Sequence, residues 1–168
     1  MNRRDVPHVL GILDRSIKNN FGGDGGIEEF KEVWKLQSSD SELWEVLRFI
    51  LTHGGAFSKD GTFVAPYFFS SFPELPDDEM YRYGAVIEDN VILRSRPDMN
   101  ASGVATLSLH VVKQLDEDNL PEGWIKVATT EGATGYIPRP LYRNIVEYRA
   151  IFEKKNGAWR MMMLLAGD

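Results

Sequence analysis

The segment WIKVATTEGATGYI, residues 124–137, decides the fold of the second half of the chain. It contains two short runs of strand-forming residues, WIKVAT and TGYI, with a turn signal between them. Gly135 stands in the second run, at a position where a strand kinks closely past its neighbour. The segment therefore predicts two successive short strands that place Trp124 and Tyr136 near the surface.

Further short strands are predicted on both sides of this segment. YGAVI, VILRS, GVATL and HVVKQL precede it, and EYRAIFEKK and AWRMMMLLAG follow it around Asn156-Gly157. An Asn-Gly pair between apolar runs is a strong hairpin signal, and many short strands with regular turns are typical of a small barrel. The side chains predicted to fill this barrel are Val91, Leu93, Val104, Leu107, Val111, Ile125, Val127 and Ile137.

Four blocks within residues 84–142 carry a family pattern. In chain order they are VILRSRP (91–97), VATL (104–107), WIKV (124–127) and GATGYI (132–137). Residues 84–142 thereby resemble the bacterial SH3-like (SH3b) domain. With the N-terminal region included, the chain is similar to a group of bacterial SH3-domain-containing proteins that begin with a helical region. The resemblance implies an SH3-like barrel and recognition of cell-wall peptide or of another protein in the bacterial envelope.

The first half of the chain, residues 1–80, is predicted to be mostly α-helical. Asp5 is suited to cap a helix, and apolar residues spaced by three and four follow it on one face. These residues are Val6, Val9, Leu10, Leu13 and Ile17. A second helix is predicted from near Ile27, and a third from a capping box at Ser39 and Glu42 to Gly54.

The predicted fold class is α+β, with two units. Asp60-Gly61 predicts a short hairpin, and residues 73–80, rich in proline and acid, are interpreted as a linker. Residues 1–80 form the N-terminal helical unit, and residues 81–168 form an SH3-like β-barrel extended by a long C-terminal hairpin. The helical unit is expected to pack on the barrel, with the terminal hairpin fastening the two together.

The glycine-rich stretch FGGDGG, residues 21–26, admits two interpretations. A loop before a helix can hold a small anion through its N–H groups. However, no Lys-Ser/Thr pair follows Gly26, and Asp24, Glu28 and Glu29 already supply negative charge there. The sequence therefore favours a tight turn between the first two helices, anchored by Phe21, over a ligand loop.

Composition excludes several classes of function. The chain has 168 residues, a formal net charge of −6 and no cysteine. The acidic balance argues against nucleic-acid binding, which needs a basic surface. Without cysteine there are no thiol nucleophiles, disulfides or cysteine-based metal sites. The three histidines lie far apart in different elements, so we expect neither a metal nor another cofactor.

The N-terminal stretch MNRRDVPHVLGILDR lacks the apolar core of a signal peptide. We therefore expect a cytoplasmic protein or, if the chain is a mature or trimmed form, a protein of the bacterial envelope or periplasm. No apolar run approaches the length of about 20 residues that spans a bilayer, so no membrane span is expected.

Three aromatic residues, Trp124, Tyr136 and Tyr142, are candidate ligand-binding residues. In barrels of the SH3-like class, an aromatic-lined groove between loops takes extended peptide or glycan ligands. The alternative is that Trp124 and Tyr136 are half-buried packing residues at the barrel rim.

Charged residues complete the candidate site. Asp116 and Asp118 belong to an acidic loop that also contains Glu117 and Glu122, and this loop suits a basic peptide or an amine-bearing ligand. Solvated loop charge is the alternative interpretation. Arg94, on a facing loop, is expected to hold a carboxylate or to pair with the acidic loop.

These observations favour a non-enzymatic binding protein that recognises cell-wall peptide or an envelope protein. An envelope hydrolase with a site at the domain junction is one alternative, although the cysteine-peptidase type is excluded by composition. A third hypothesis is a protein inhibitor, such as an immunity protein, whose acidic surface blocks a basic enzyme.

Overall fold

The computed structural model describes residues 4–70, 72 and 79–167. The chain divides into two compact units, one made of Met1–Ser70 with Val146–Asp168 and the other of Ser71–Ile145. Each unit contains its own β-sheet, and the α-helices of the described part lie in the first unit. The predicted α+β class is therefore confirmed.

The described part of the chain contains three α-helices and twelve strands. The helices are α1 (Val6–Ile12), α2 (Ile27–Val33) and α3 (Leu43–Thr52). The strands are β1 (Leu13–Lys18), β2 (Ala56–Phe57), β3 (Phe63–Ala65), β4 (Tyr83–Val86), β5 (Val91–Arg94), β6 (Gly103–Leu107), β7 (Val111–Leu115), β8 (Trp124–Thr129), β9 (Thr134–Pro138), β10 (Tyr142–Asn144), β11 (Arg149–Lys155) and β12 (Ala158–Leu165). Short 3-10 helices span Tyr67–Ser70, Met80–Arg82 and Arg139–Leu141.

The first helix begins as predicted but ends early. The Asp5 carboxylate accepts the backbone N–H of His8 at 2.9 Å and caps α1. The prediction that Leu13 and Ile17 continue this helix is wrong, because both lie in strand β1. They remain buried, at 4% and 0% exposure, so the burial inferred from the pattern holds although the secondary structure does not.

The other two helices lie where the sequence predicts helices. α2 begins at Ile27, and α3 buries Leu43, Leu47 and Ile50 along one side. Gly54 follows α3 with φ +64°, as a C-terminal glycine does. The capping box at Ser39 is wrong, because α3 begins four residues later and the Ser39 hydroxyl donates to Asp40 instead.

The first unit is built on a five-stranded sheet in the order β1-β12-β11-β3-β2. The predicted Asn156-Gly157 hairpin joins β11 and β12, with φ of 51° and 80° at the two turn residues. β1 pairs in parallel with β12, and β3 pairs with β11. The C-terminal hairpin, which the sequence grouped with the barrel in residues 81–168, thus lies at the centre of the sheet formed with the N-terminal segment.

The second unit is a seven-stranded antiparallel sheet in the order β10-β4-β7-β8-β9-β5-β6. Its apolar cluster draws side chains from every one of these strands, including Leu107 of β6 and Tyr142 of β10 at the two edges. Most of the predicted core residues belong to this cluster. Val104 and Val111 do not. Val104 is 48% exposed, because the pairing of Leu107 with Val91 turns its own side of β6 outward. On β7 the side chain in the cluster is Val112, the next residue, and Val111 is half-buried.

None of the helices in the described ranges combines the length and the apolar character that crossing a bilayer requires.

Candidate functional site

The outer face of the second sheet carries three of the predicted site residues. Trp124 and Lys126 alternate along β8 with residues buried in the core, and Tyr136 lies directly opposite Lys126 on β9. Arg94 of β5 is in turn the pairing partner of Tyr136. The strand register therefore brings Trp124, Tyr136 and Arg94 to neighbouring positions on three adjacent strands, β8, β9 and β5.

The acidic loop that follows β7 is attached to this face through Glu117. The Glu117 carboxylate accepts a hydrogen bond from the Tyr136 hydroxyl, at 2.7 and 2.9 Å to its two oxygens. It also forms an ion pair with Lys126 at 2.6 Å, and the Lys126 ammonium lies 5.6 Å from the centre of the Tyr136 ring. These contacts hold the loop over the β8–β9 strand pair.

The same contacts shift the protonation equilibria of the three groups. Hydrogen bonds from Lys126 and then from Tyr136 lower the pKa of Glu117 below its usual value. The bond to Glu117 raises the pKa of Lys126 and, with burial second, the pKa of Tyr136. Tyr136 is therefore held as a neutral hydrogen-bond donor, which suits a structural anchor rather than a nucleophile.

A groove of about 370 Å³ lies between the acidic loop and β8. Trp124 and Arg139 line it, together with the loop residues Asp116, Glu117 and Asp118. Leu115, Leu120 and Ile125 supply its apolar surface. The groove thus places one indole ring beside three carboxylates, a combination that fits a ligand with both an apolar body and a positive charge.

Two groups in this groove are available to a ligand. Within the described part of the chain, no hydrogen bond or ion pair engages the Asp118 carboxylate or the indole N–H of Trp124. Asp118 is exposed, whereas Trp124 is half-buried. Asp116, by contrast, forms an ion pair with Arg82 at 3.2 Å. The Asp116 side chain is 80% exposed and the Arg82 side chain is 42% exposed. Asp118 is therefore the acceptor with most capacity for a new partner.

Arg94 lies on the same face but in a different depression. Its guanidinium donates to the backbone oxygen of Ala101 at 2.9 Å, and it lines a cavity of about 270 Å³ together with Met99. The two interactions proposed for Arg94 from the sequence were a ligand carboxylate and the acidic loop. The bond to Ala101 is a third kind of contact, which fixes the side chain to its own loop.

The assignment of Tyr142 as a ligand-binding residue is wrong. Tyr142 has 0% exposure and lies inside the apolar cluster of the second unit. Asn144 donates to its hydroxyl at 3.2 Å, and the Arg139 guanidinium carbon lies 5.1 Å from its ring centre. The ring also fills the space beside Gly84, where any Cβ would collide with it. A residue enclosed in this way stabilises the fold and does not meet a ligand.

The FGGDGG loop is closed by its own neighbours. The N–H groups of Gly22 and Gly23 donate to the Asn20 side chain, and the Gly25 N–H donates to Glu29 at 2.5 Å. The loop does follow a strand, β1, rather than the helix expected from the sequence. The N–H groups of its four glycines are nevertheless bound to protein oxygens, that of Gly26 to the carbonyl of Ile17. These contacts agree with the interpretation as a turn and leave those N–H groups unavailable to an anion.

Two features of the site were not identified from the sequence. Lys126 and Arg139 had no assigned role, yet Lys126 fixes the acidic loop and Arg139 lines the groove. The alternation of β8 contained the signal for Lys126, because a residue between two buried neighbours must face outward. The position of Arg139 depends on the 3-10 helix after β9, for which the local sequence gives no comparable pattern.

No group of three or more His, Asp or Glu side chains among the described residues is arranged to hold a metal ion. Comparisons of the chain with protein-family models, with curated proteins and with solved structures found no match.

Proposed function

We propose that the protein is a non-enzymatic binding protein that recognises an amine-bearing cell-wall peptide through the groove between Trp124 and the acidic loop. The second unit is, on this proposal, an SH3-like barrel. Support for the barrel comes from the apolar cluster, which includes side chains from all seven strands of one sheet, the two edge strands among them. A sheet that curls around a single core brings every one of its strands into that core, so the cluster is what a barrel of this kind requires.

The observation that carries the proposal is that an indole and a carboxylate, both available to a ligand, line the same groove. As far as the described residues extend, the Trp124 indole N–H and the Asp118 carboxylate have no hydrogen-bonding partner, and both groups line the same groove. An extended peptide with a side-chain amine meets both requirements, because its backbone can lie against the indole while its ammonium reaches the carboxylate. A neutral or acidic peptide would leave Asp118 unpaired.

The test measures retention of the full chain on purified peptidoglycan and its affinity for a short peptide containing lysine. Trp124→Ala should weaken binding by about tenfold or more, as expected for an aromatic anchor residue. Asp118→Asn should weaken it by about threefold, and the difference should shrink at high salt because the contact is exposed.

Matched controls separate the groove from general effects. Glu122→Gln removes an acid of the same loop that does not line the groove, and Trp159→Ala removes an exposed tryptophan of the other unit. Both variants should bind like the parent protein. No retention of the parent protein even at low salt would overturn wall recognition, and capture of a basic protein in its place would favour the inhibitor alternative.

A further inference from the structure

A second cavity, of about 570 Å³, lies in the first unit and is not part of the proposed peptide groove. It is bounded by the end of α1, the start of β1 and the turn of the β11–β12 hairpin. Its volume falls within the range of about 300–1,000 Å³ that is typical of small-molecule sites. The question is which chemical class of ligand it fits.

Part of the cavity lining is apolar and rigid. Leu13 is 4% exposed and belongs to the core of the first unit, while Leu10 and Ile27 pack against that core. All three side chains line the cavity. This surface can cover the aliphatic part of a ligand at little cost in side-chain ordering, because its side chains are already fixed.

The polar part of the lining is positively charged. The charged residues of the lining are three cations, Arg15, Lys155 and Arg160, and one acid, Asp14. The lining therefore carries a surplus of two positive charges. The whole chain has a formal net charge of −6. A local surplus of the opposite sign in an acidic protein attracts an anion to this position.

The Asp14 carboxylate, which is already counted in this surplus, is occupied by donors of the protein. It accepts from the Ser16 backbone N–H at 2.9 Å, from the Ser16 hydroxyl at 2.7 Å and from Lys155 at 2.9 Å. Its side chain is only 14% exposed. Asp14 therefore positions Lys155 beside the cavity, and its own oxygens are bound by protein groups.

The cationic groups retain donors for a ligand. The Lys155 ammonium has three N–H groups and donates one of them to Asp14. The Arg160 guanidinium has five N–H groups and donates to the Gly11 carbonyl through one of its nitrogens. Arg15 is exposed, and in the ranges that the structure describes its side chain forms no hydrogen bond or ion pair.

From this geometry we propose that the cavity binds a small amphiphilic anion. Its carboxylate or phosphate-monoester head contacts Arg15, Lys155 and Arg160, and its short aliphatic body lies on Leu10, Leu13 and Ile27. The proposal does not rest on the peptide groove, which lies in the other unit.

The test is an amide NMR titration of the full chain with hexanoate, hexyl phosphate and hexanol at constant ionic strength. The two anions should move the amide signals of Gly11, Arg15 and Asn156, and hexanol, which has the same body without charge, should bind at least about threefold more weakly. The ranking of the two anions identifies the preferred head group. Failure of both anions to move these signals, or equal binding of hexanol, overturns the proposal.

A pair of variants on β1 tests the charge directly. Arg15→Gln should weaken binding of the better anion by about threefold, the effect of one exposed charged contact. Lys18→Gln removes an equally exposed cation of the same strand that does not line the cavity, and it should leave the affinity unchanged. Equal affinities of the two variants would show that Arg15 is not part of the site, and the proposal would fall.

Discussion

At the scale of single residues, Glu117 determines how the acidic loop is held. One carboxylate receives both the Tyr136 hydroxyl and the Lys126 ammonium, and the loop that it belongs to forms one wall of the groove. Because the folded-state pKa of Glu117 is lowered, its contribution to stability is present above its usual value of 4.5. That contribution is lost as the pH falls through the lowered pKa.

Glu117→Gln should bring the pKa of Tyr136 down toward its ordinary value. The bond to the Glu117 carboxylate is the largest cause of the raised pKa, because a phenolate cannot donate to it and is repelled by its charge. A pH titration of the Tyr136 ring signal by carbon NMR measures the effect. Glu122→Gln, at an exposed site of the same loop, should leave the Tyr136 titration unchanged. An unaltered pKa in the Glu117 variant would contradict the role given to this carboxylate.

The residues of the groove were predictable only in part. Trp124 and Asp118 could be found because a rim aromatic and a run of acids are visible in the sequence. Tyr142 has the same chemistry as a rim aromatic, but it lies at the start of β10, whose pairing with β4 turns it into the core. Which side of an edge strand faces inward depends on register with a distant strand, and local sequence does not encode that register.

At the scale of elements, the unexpected strand β1 explains the role of the C-terminal hairpin. Leu13 and Ile17 are four residues apart, a spacing that fits one face of a helix and also alternate positions of a strand. The parallel pairing with β12, about 150 positions later in the chain, decides in favour of the strand. The apolar face of α3 and the hairpin turns at Asp60-Gly61 and Asn156-Gly157 were predictable, because their signals lie within the element itself, whereas the start of α3 was not.

The contact between Asp14 and Lys155 joins β1 to the end of β11, so its removal should weaken the first unit. Asp14→Asn should lower the free energy of unfolding at pH 7 by about 1 kcal/mol, the usual net value of a hydrogen bond. Chemical denaturation of the variant and the parent protein measures this difference. Asp60→Asn is the comparison variant, because among the described residues the Asp60 carboxylate accepts bonds from Ser58 and Thr62 of its own turn and joins no distant strands.

The difference caused by Asp14→Asn should also depend on pH. Hydrogen bonds from Ser16 and then from Lys155 hold the pKa of Asp14 far below its usual value of 3.8. The stabilisation is therefore complete well above pH 3.8 and declines as the pH falls below it toward the lowered pKa. A difference between variant and parent that grows on acidification would contradict this assignment.

At the scale of the whole molecule, the two units do not follow one another along the chain. The first unit takes its sheet from both ends of the chain, and the second unit is inserted between β3 and β11. The sequence predicts a domain boundary at residue 80, with residues 81–168 in one unit, because local patterns show only which elements follow one another along the chain. The hairpin at residues 149–165 instead completes the first sheet, since β12 is the partner of β1 and β11 is the partner of β3.

Each unit has its own apolar cluster, so equivalent core substitutions should act on different parts of the molecule. Leu164 of β12 and Leu93 of β5 both have 0% exposure and belong to different clusters. Leu164→Ala and Leu93→Ala should each cost about 2–5 kcal/mol in their own unit.

Of the four tryptophans, Trp124 alone lies in the second unit, so fluorine NMR of fluorotryptophan-labelled protein in urea resolves the two units. Leu93→Ala should lower the unfolding midpoint of the Trp124 signal, and Leu164→Ala that of the other three. If all four signals shift together in both variants, the chain unfolds as one cooperative body, and the division into two units has no energetic counterpart.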